Sequence, residues 1–228
     1  MIEIYLFVNP LGSSCFHMEK DLLQFIKKEY KQKKILFRFL PLVNLQTIGD
    51  VLQERGISKK NIKEQNDLFS ATYSAALDYK AALLQGKKKG REFLLQIQNE
   101  VGCKKKTYTK ELSEKIIQQI GGDLPMFKED RTSDLVKEGF YSDQKIAREM
   151  GITKHPSAVV YNYACDRDFG VLVEDISDIH CIQELCQTSE TSYKVFHSGT
   201  TLHMKNEKKV QHTHGNIHLL SDQLTNAH

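Results

Sequence analysis

Cys15 occupies a position suited to sulfur chemistry, but its partner is missing. Gly12-Ser13-Ser14-Cys15 follows Asn9-Pro10 and opens a segment whose apolar residues recur at helical spacing, Phe16, Leu22, Leu23 and Phe25-Ile26. A cysteine on the first turn of a helix meets free backbone N–H groups and the positive end of the helix dipole, which favour a thiolate. A dithiol cycle also needs a second sulfur three positions earlier, and Gly12 stands there. An intramolecular disulfide is therefore out of reach, which removes the attacking sulfur of a thiol–disulfide oxidoreductase. Cys15 is left as either a buried structural thiol or a single nucleophile. Ser13 and Ser14 are suited to capping the helix. His17, on the first helical turn, reads as a solvated surface residue.

Other groups carry less chemistry. His155-Pro156-Ser157 precedes an apolar run and reads as a lock on the start of a strand or as an edge where a partner segment docks. His197, His203, His212, His214, His218 and His228 crowd the C-terminal part. No pair of Cys-x-x-Cys type among Cys165, Cys181 and Cys186 completes a zinc pattern with them, so no metal site is expected. Lys87-Lys88-Lys89 and Lys104-Lys105-Lys106 read as solvated helix ends, and no aromatic residues interleave with them as on a nucleic-acid platform. No cofactor is implied by any motif.

The elements that position these residues follow from the apolar pattern. Ile2, Ile4, Leu6 and Val8, with Tyr5 and Phe7 between them, predict a first strand buried on both faces. Ile35 to Leu40, closed by Pro41, predicts a second strand parallel to the first across a helical crossover. From Asn44 to Glu149 the spacing is helical, with stripes at Phe69, Tyr73, Ala76-Leu77 and Ala81-Leu84, at Phe93-Leu94 and Ile97, and at Leu112, Ile116-Ile117 and Ile120. Gly121-Gly122 and Gly151 mark helix ends. So many helical residues exceed one crossover and predict a helical insertion. Ala158 to Tyr161 and Phe169 to Val173 predict a hairpin around Asn162 to Arg167. A last helix follows through Ile179, Ile182 and Leu185, capped by Ser177 or Asp178. The predicted class is α/β, with a core of residues 1–43 and 150–187, a helical insertion over 44–149 and a polar, His-rich extension over 188–228. One strand is expected in that extension, at Ser192 to Phe196, and disorder toward its end.

The bulk numbers restrict the function classes. The 228 residues include 40% hydrophobic and 27% charged residues, enough for a sizeable core. Thirty-two basic and 29 acidic residues leave a net charge of +3, which demands neither nucleic acid nor an acidic membrane as partner. No apolar run reaches the roughly 20 residues that span a bilayer. The first apolar segment begins at Ile2 without a basic leader or cleavage site, so no signal peptide is expected. An odd, scattered set of five cysteines, Cys15, Cys103, Cys165, Cys181 and Cys186, fits reduced thiols. A cytoplasmic location is the expectation.

The order strand, cysteine turn, helix, strand, helical insert, X-Pro, hairpin, helix resembles the DsbA-like branch of the thioredoxin superfamily over about residues 1–187. Ala147-Arg148-Glu149-Met150-Gly151-Ile152 followed by His155-Pro156-Ser157 resembles the way that branch closes its insert. The resemblance implies a cis bond at His155-Pro156 beside the cysteine turn. More narrowly, Ile2-Glu3-Ile4-Tyr5-Leu6-Phe7-Val8-Asn9-Pro10-Leu11, then Cys15 and Glu19, is similar to the SpxH family. Those Firmicutes adaptors present the regulator Spx to the protease ClpXP. Members commonly carry Cys-x-x-Cys after the same Pro-Leu pair and a His/Cys-rich leader before the strand. This sequence has Gly12 at the first cysteine and begins on the strand. The resemblance implies a non-catalytic adaptor with Spx and ClpXP as partners, acting in the thiol-stress response. The alternative is a monothiol or glutathione-dependent enzyme, an isomerase or transferase using Cys15 or Ser13, as a serine at this turn is used in kappa-class glutathione transferases.

Overall fold

The computed structural model describes residues 1–29, 34–164, 169–174, 176–187 and 216–220. The chain opens with β1 (Ile2–Val8), α1 (Ser13–Glu29) and β2 (Ile35–Pro41), and β2 runs parallel to β1 with Ile2 opposite Ile35. Six α-helices follow, α2 (Leu45–Glu54), α3 (Ile62–Leu84), α4 (Lys87–Ile97), α5 (Lys110–Gln119), α6 (Leu124–Thr132) and α7 (Asp134–Glu149). A π-helical turn, Gln98–Cys103, continues α4. The chain returns as the hairpin β3 (Ser157–Asn162) and β4 (Gly170–Glu174), then α8 (His180–Leu185) and a final strand β5 (Asn216–Leu220). The sheet order is β2-β1-β3-β4-β5, with every pairing after β1–β2 antiparallel.

Strand alternation sorts the side chains into two layers. Ile2, Ile4, Leu6 and Val8 of β1, with Val160, Val171 and Val173, join the large core shared with α1, α8 and the helical insert. Phe7, Val159 and Leu172 point the other way and pack against Ala147, Met150 and Ile152 at the end of α7. On that second face Glu3 and Tyr5 are only half-buried, so β1 is covered on both faces only from Leu6 to Val8. The unbroken apolar run overstated its burial because a tyrosine ring packs well at a half-open surface. Gly170 serves that surface too: a Cβ there would lie 2.6 Å from the Tyr161 ring, so only glycine lets that ring lie across β4.

The helices end where their glycines direct. Gly151 adopts φ +67°, with Gly151 N–H donating to Arg148 C=O and Ile152 N–H to Ala147 C=O, a Schellman arrangement that turns α7 toward β3. The insert is fastened to the core by polar bonds as well as packing. Tyr79 Oη donates to Phe39 C=O at 3.0 Å, Gln144 Nε2 donates to Pro41 C=O at 2.6 Å, and Lys80 pairs with buried Asp143 at 2.8 Å.

The stretch Ser192 to Phe196 lies outside the described residues. The strand found in the extension is β5, a short run that sequence periodicity alone did not distinguish from its polar surroundings.

Candidate functional site

The turn between β1 and α1 is built by Asn9. Its Oδ1 accepts the Leu11 N–H at 2.8 Å, its C=O accepts the Gly12 N–H at 3.0 Å, and its own N–H donates to Cys15 Sγ at 3.2 Å. One buried residue thereby shapes the loop and holds the sulfur. Ser13 and Ser14 lie in the first turn of α1, half-buried and exposed respectively, and Cys15 behind them is 0% exposed.

The His155-Pro156 bond is cis, and it sets His155 against the turn. His155 Nδ1 lies 3.7 Å from Cys15 Sγ and Nε2 lies 3.4 Å from Asn9 Nδ2. Because Asn9 Oδ1 is engaged by Leu11, its amide nitrogen faces the imidazole. In the tautomer whose Nε2 accepts from that amide, the ring proton sits on Nδ1, toward the sulfur. Gly12, Cys15 and His155 thus converge on Asn9, which sequence reasoning read only as part of the break after the first strand.

Beneath the sulfur sits an unanticipated layer. Glu19, one turn after Cys15, is fully buried, and its Oε1 accepts from Gln98 Nε2 at 2.6 Å. The same Gln98 amide donates to Asn9 C=O at 3.1 Å. Glu19 Oε2 and Gln98 Oε1 have no hydrogen-bond partner among the described residues. Burial holds the Glu19 carboxyl well above the usual carboxylate range, outweighing the Gln98 bond. Gln98 comes from the π-helical turn, whose Gly102 lies so close that a Cβ would be 2.8 Å from Ser13 N. The one-turn spacing of Cys15 and Glu19 was readable; the wider turn that delivers Gln98 has no sequence signature.

The electrostatics reverse the simple expectation from the helix N-terminus. Burial pushes the Cys15 thiol up strongly; the Asn9 N–H and Ser14 hydroxyl pull it down by less, and the Glu19 carboxyl adds to the rise. Cys15 is a thiol, hidden from solvent, and the dipole that would have ionised it is overridden by desolvation. Nucleophilic attack by this sulfur requires both exposure and ionisation, and the resting site offers neither. His17 is exposed, its Nδ1 2.8 Å from Ser13 C=O on its own helix. The described residues contain no group of three potential metal ligands. The tail histidines lie outside the described residues, save His218 in β5.

A thioredoxin family profile matches residues 5–184. The chain belongs to the thioredoxin family. Among its relatives, the ClpXP adapter protein SpxH of Staphylococcus saprophyticus is 34% identical over 179 residues, covering 78% of this chain and 62% of that one. SpxH of Staphylococcus aureus is 32% identical over the same length, covering 78% and 61%. The chain thus spans about three fifths of the length of these relatives. The fold is DsbA-like. BdbD of Bacillus subtilis superposes with a TM-score of 0.57 at 14% identity, over 81% of this chain and 85% of that one. DsbA of Chlamydia trachomatis does so with 0.52 at 15% identity, over 81% and 84%. No described helix is long and apolar enough to cross a membrane.

Proposed function

We propose that this chain is a non-catalytic adaptor that binds Spx and promotes its degradation by ClpXP in the cytoplasm. The observation that carries the reading is the sealed turn. Gly12 replaces one sulfur, and Cys15 is 0% exposed and held as a thiol. A thioredoxin scaffold without an accessible thiol keeps its shape and its binding surfaces while giving up redox turnover. The relatives named as ClpXP adapter proteins, at 34% and 32% identity, support the same role. Tethering suffices as mechanism: an adaptor that holds client and protease together raises the client's local concentration without making or breaking a bond. In this reading Gly12, Ser13, Ser14 and Cys15 are a degenerate redox motif, His155-Pro156 shapes the turn, and the helices over 44–149 form an insertion subdomain that shares the large core with the sheet.

The test is the rate of Spx loss in a purified ClpXP reaction, with and without this protein and its Cys15→Ala variant. Faster loss with both forms is the expected result. No acceleration by either overturns the adaptor reading. Acceleration lost only in Cys15→Ala would return a chemical role to the thiol and direct attention to glutathione and thiol-exchange assays.

A further inference from the structure

Lysine crowds one side of the Cys15 turn. Gly102, in the π-helical turn, abuts the loop into α1 so closely that a Cβ there would lie 2.8 Å from Ser13 N and 3.0 Å from the Leu11 carbonyl oxygen. Lys104-Lys105-Lys106 begin two residues later, a reach of about 7 Å at most, and all three are exposed. The run therefore stands beside the turn and not at a remote helix end. Lys104 and Lys106 both pair with Glu100, Lys104 at 2.6 Å, so one carboxylate serves two ammonium groups. Among the described residues no carboxylate pairs with Lys105. The facing element supplies none either: residues 9–12 are uncharged, and the first turn of α1 holds no acid. Lys105 also has φ +59°, the one positive value outside glycine among the described residues. A residue with a Cβ is strained in that region, and Lys105 is exposed, so no packing compensates.

We propose that Lys104, Lys105 and Lys106 form a docking surface beside the Cys15 turn for an acidic segment of a partner protein. Charge complementarity names the occupant. The lysines outnumber their one carboxylate, and carboxylates from another chain would balance the excess. The left-handed backbone at Lys105 fits the same role: a turn that glycine would adopt freely instead carries a cation into solvent. No aromatic residue lies within the run to stack a base, which favours a peptide over a nucleic acid. Exposed ion pairs are individually weak and screened by salt, so this surface orients a partner and speeds its encounter more than it holds it. The inference rests on the adaptor reading only in taking the partner to be a protein.

The test is fluorescence anisotropy of a fluorescein-labelled hexaglutamate peptide titrated with the full chain. Two triple variants carry the same change in charge, one with Gln at Lys104, Lys105 and Lys106, the other with Gln at Lys87, Lys88 and Lys89. The wild type is expected to bind, and more weakly as salt is raised. Loss of the run at 104–106 is expected to weaken binding about tenfold, and loss of the run at 87–89 to leave it unchanged. Lys105→Gly relieves the left-handed backbone, so it should unfold at the same or a higher temperature and yet bind about twofold more weakly. General damage to the turn would not produce that combination. No binding by the wild type overturns the proposal. Equal loss in the two triple variants also overturns it, leaving only net charge, as does tighter binding of a single-stranded oligonucleotide of equal charge. The assay contains neither Spx nor ClpXP, so its failure and that of the adaptor reading are told apart.

Discussion

Two buried polar clusters in this protein are finished to different degrees. In the insert, Asp78 is 0% exposed and both its oxygens are engaged, Oδ1 by Arg131 Nε and Oδ2 by the Tyr108 hydroxyl. Under the Cys15 turn, Glu19 and Gln98 are also 0% exposed, yet each leaves one oxygen without a described partner. The first cluster fastens α3 to α6 and to the strand-free stretch before α5. The second lies beside the Cys15 turn, and it keeps polar capacity that packing alone does not require. Buried polar atoms without a described partner also occur in the insert, at Ser113 Oγ and Asp130 Oδ2, so the contrast is between these two clusters and not between insert and core.

Several substitutions would sharpen or break that contrast. The largest effect is expected from Asp78→Ala, which leaves the Arg131 charge and the Tyr108 hydroxyl stranded; a loss of about 3 kcal/mol is expected in denaturant unfolding. A loss under about 1 kcal/mol would mean that the insert's cluster is not the firmer one. Gly102→Ala comes next, because its Cβ would meet the Ser13 backbone at 2.8 Å. We expect about 2 kcal/mol of destabilisation and new accessibility of Cys15 to a thiol reagent, read by mass spectrometry.

Glu19→Gln tests the second cluster directly. An amide offers N–H donors where Glu19 Oε2 is unpaired, so neutral pH should reveal little change or a gain of about 1 kcal/mol. The sign with pH is definite. The folded-state carboxyl ionises above its usual value of 4.5. Its contribution is fully present below the unfolded value and is lost as pH rises toward and through the folded one. Wild type should therefore lose stability over that window relative to Glu19→Gln. Parallel stability curves for the two would show that Glu19 is not held as the acid.

Gly12→Cys asks whether the turn still fits two sulfurs. A Cβ at Gly12 lies 3.4 Å from Cys15 Sγ and 3.1 Å from Asn9 Cβ, so a disulfide needs only a small adjustment. Under mild oxidant we expect a variant lighter by the two lost hydrogens, with Cys15 protected from alkylation. The smallest effect concerns Glu100, whose carboxyl is lowered to about 2 by its bonds to Lys104 and Lys106. The stability it lends is present above the ordinary carboxylate value and fades as pH falls toward 2. In so solvated a place, Glu100→Gln should shift the acid limb by no more than about 0.5 kcal/mol.

Much of the fold was legible because it follows from local pattern. Alternation in β1 and β3, the 3.6-residue stripes of α3 to α5, and the glycines at 121 and 151 are all short-range signals. The site was legible only in part. Gly12 and Cys15 announce themselves by type and spacing, whereas Asn9, Gln98 and Glu19 act through contacts between elements far apart in the chain. Gln98 meets Asn9 across 89 positions, and no periodicity encodes such a meeting. The raised thiol pKa was hidden for a related reason: the helix dipole is a local property, while desolvation depends on everything packed above.

The π-helical turn also constrains how this chain can change length. Its hydrogen bonds reach one residue farther than those of an α-helix, so Gln98–Cys103 accommodates what amounts to one inserted residue. Deleting a residue there would let the backbone relax into an ordinary helix. It would also rotate all that follows by roughly 100° relative to Gln98, carrying Gly102 off the Ser13 backbone. The segment thus works as a gauge of length, which makes it a poor place for insertions and deletions.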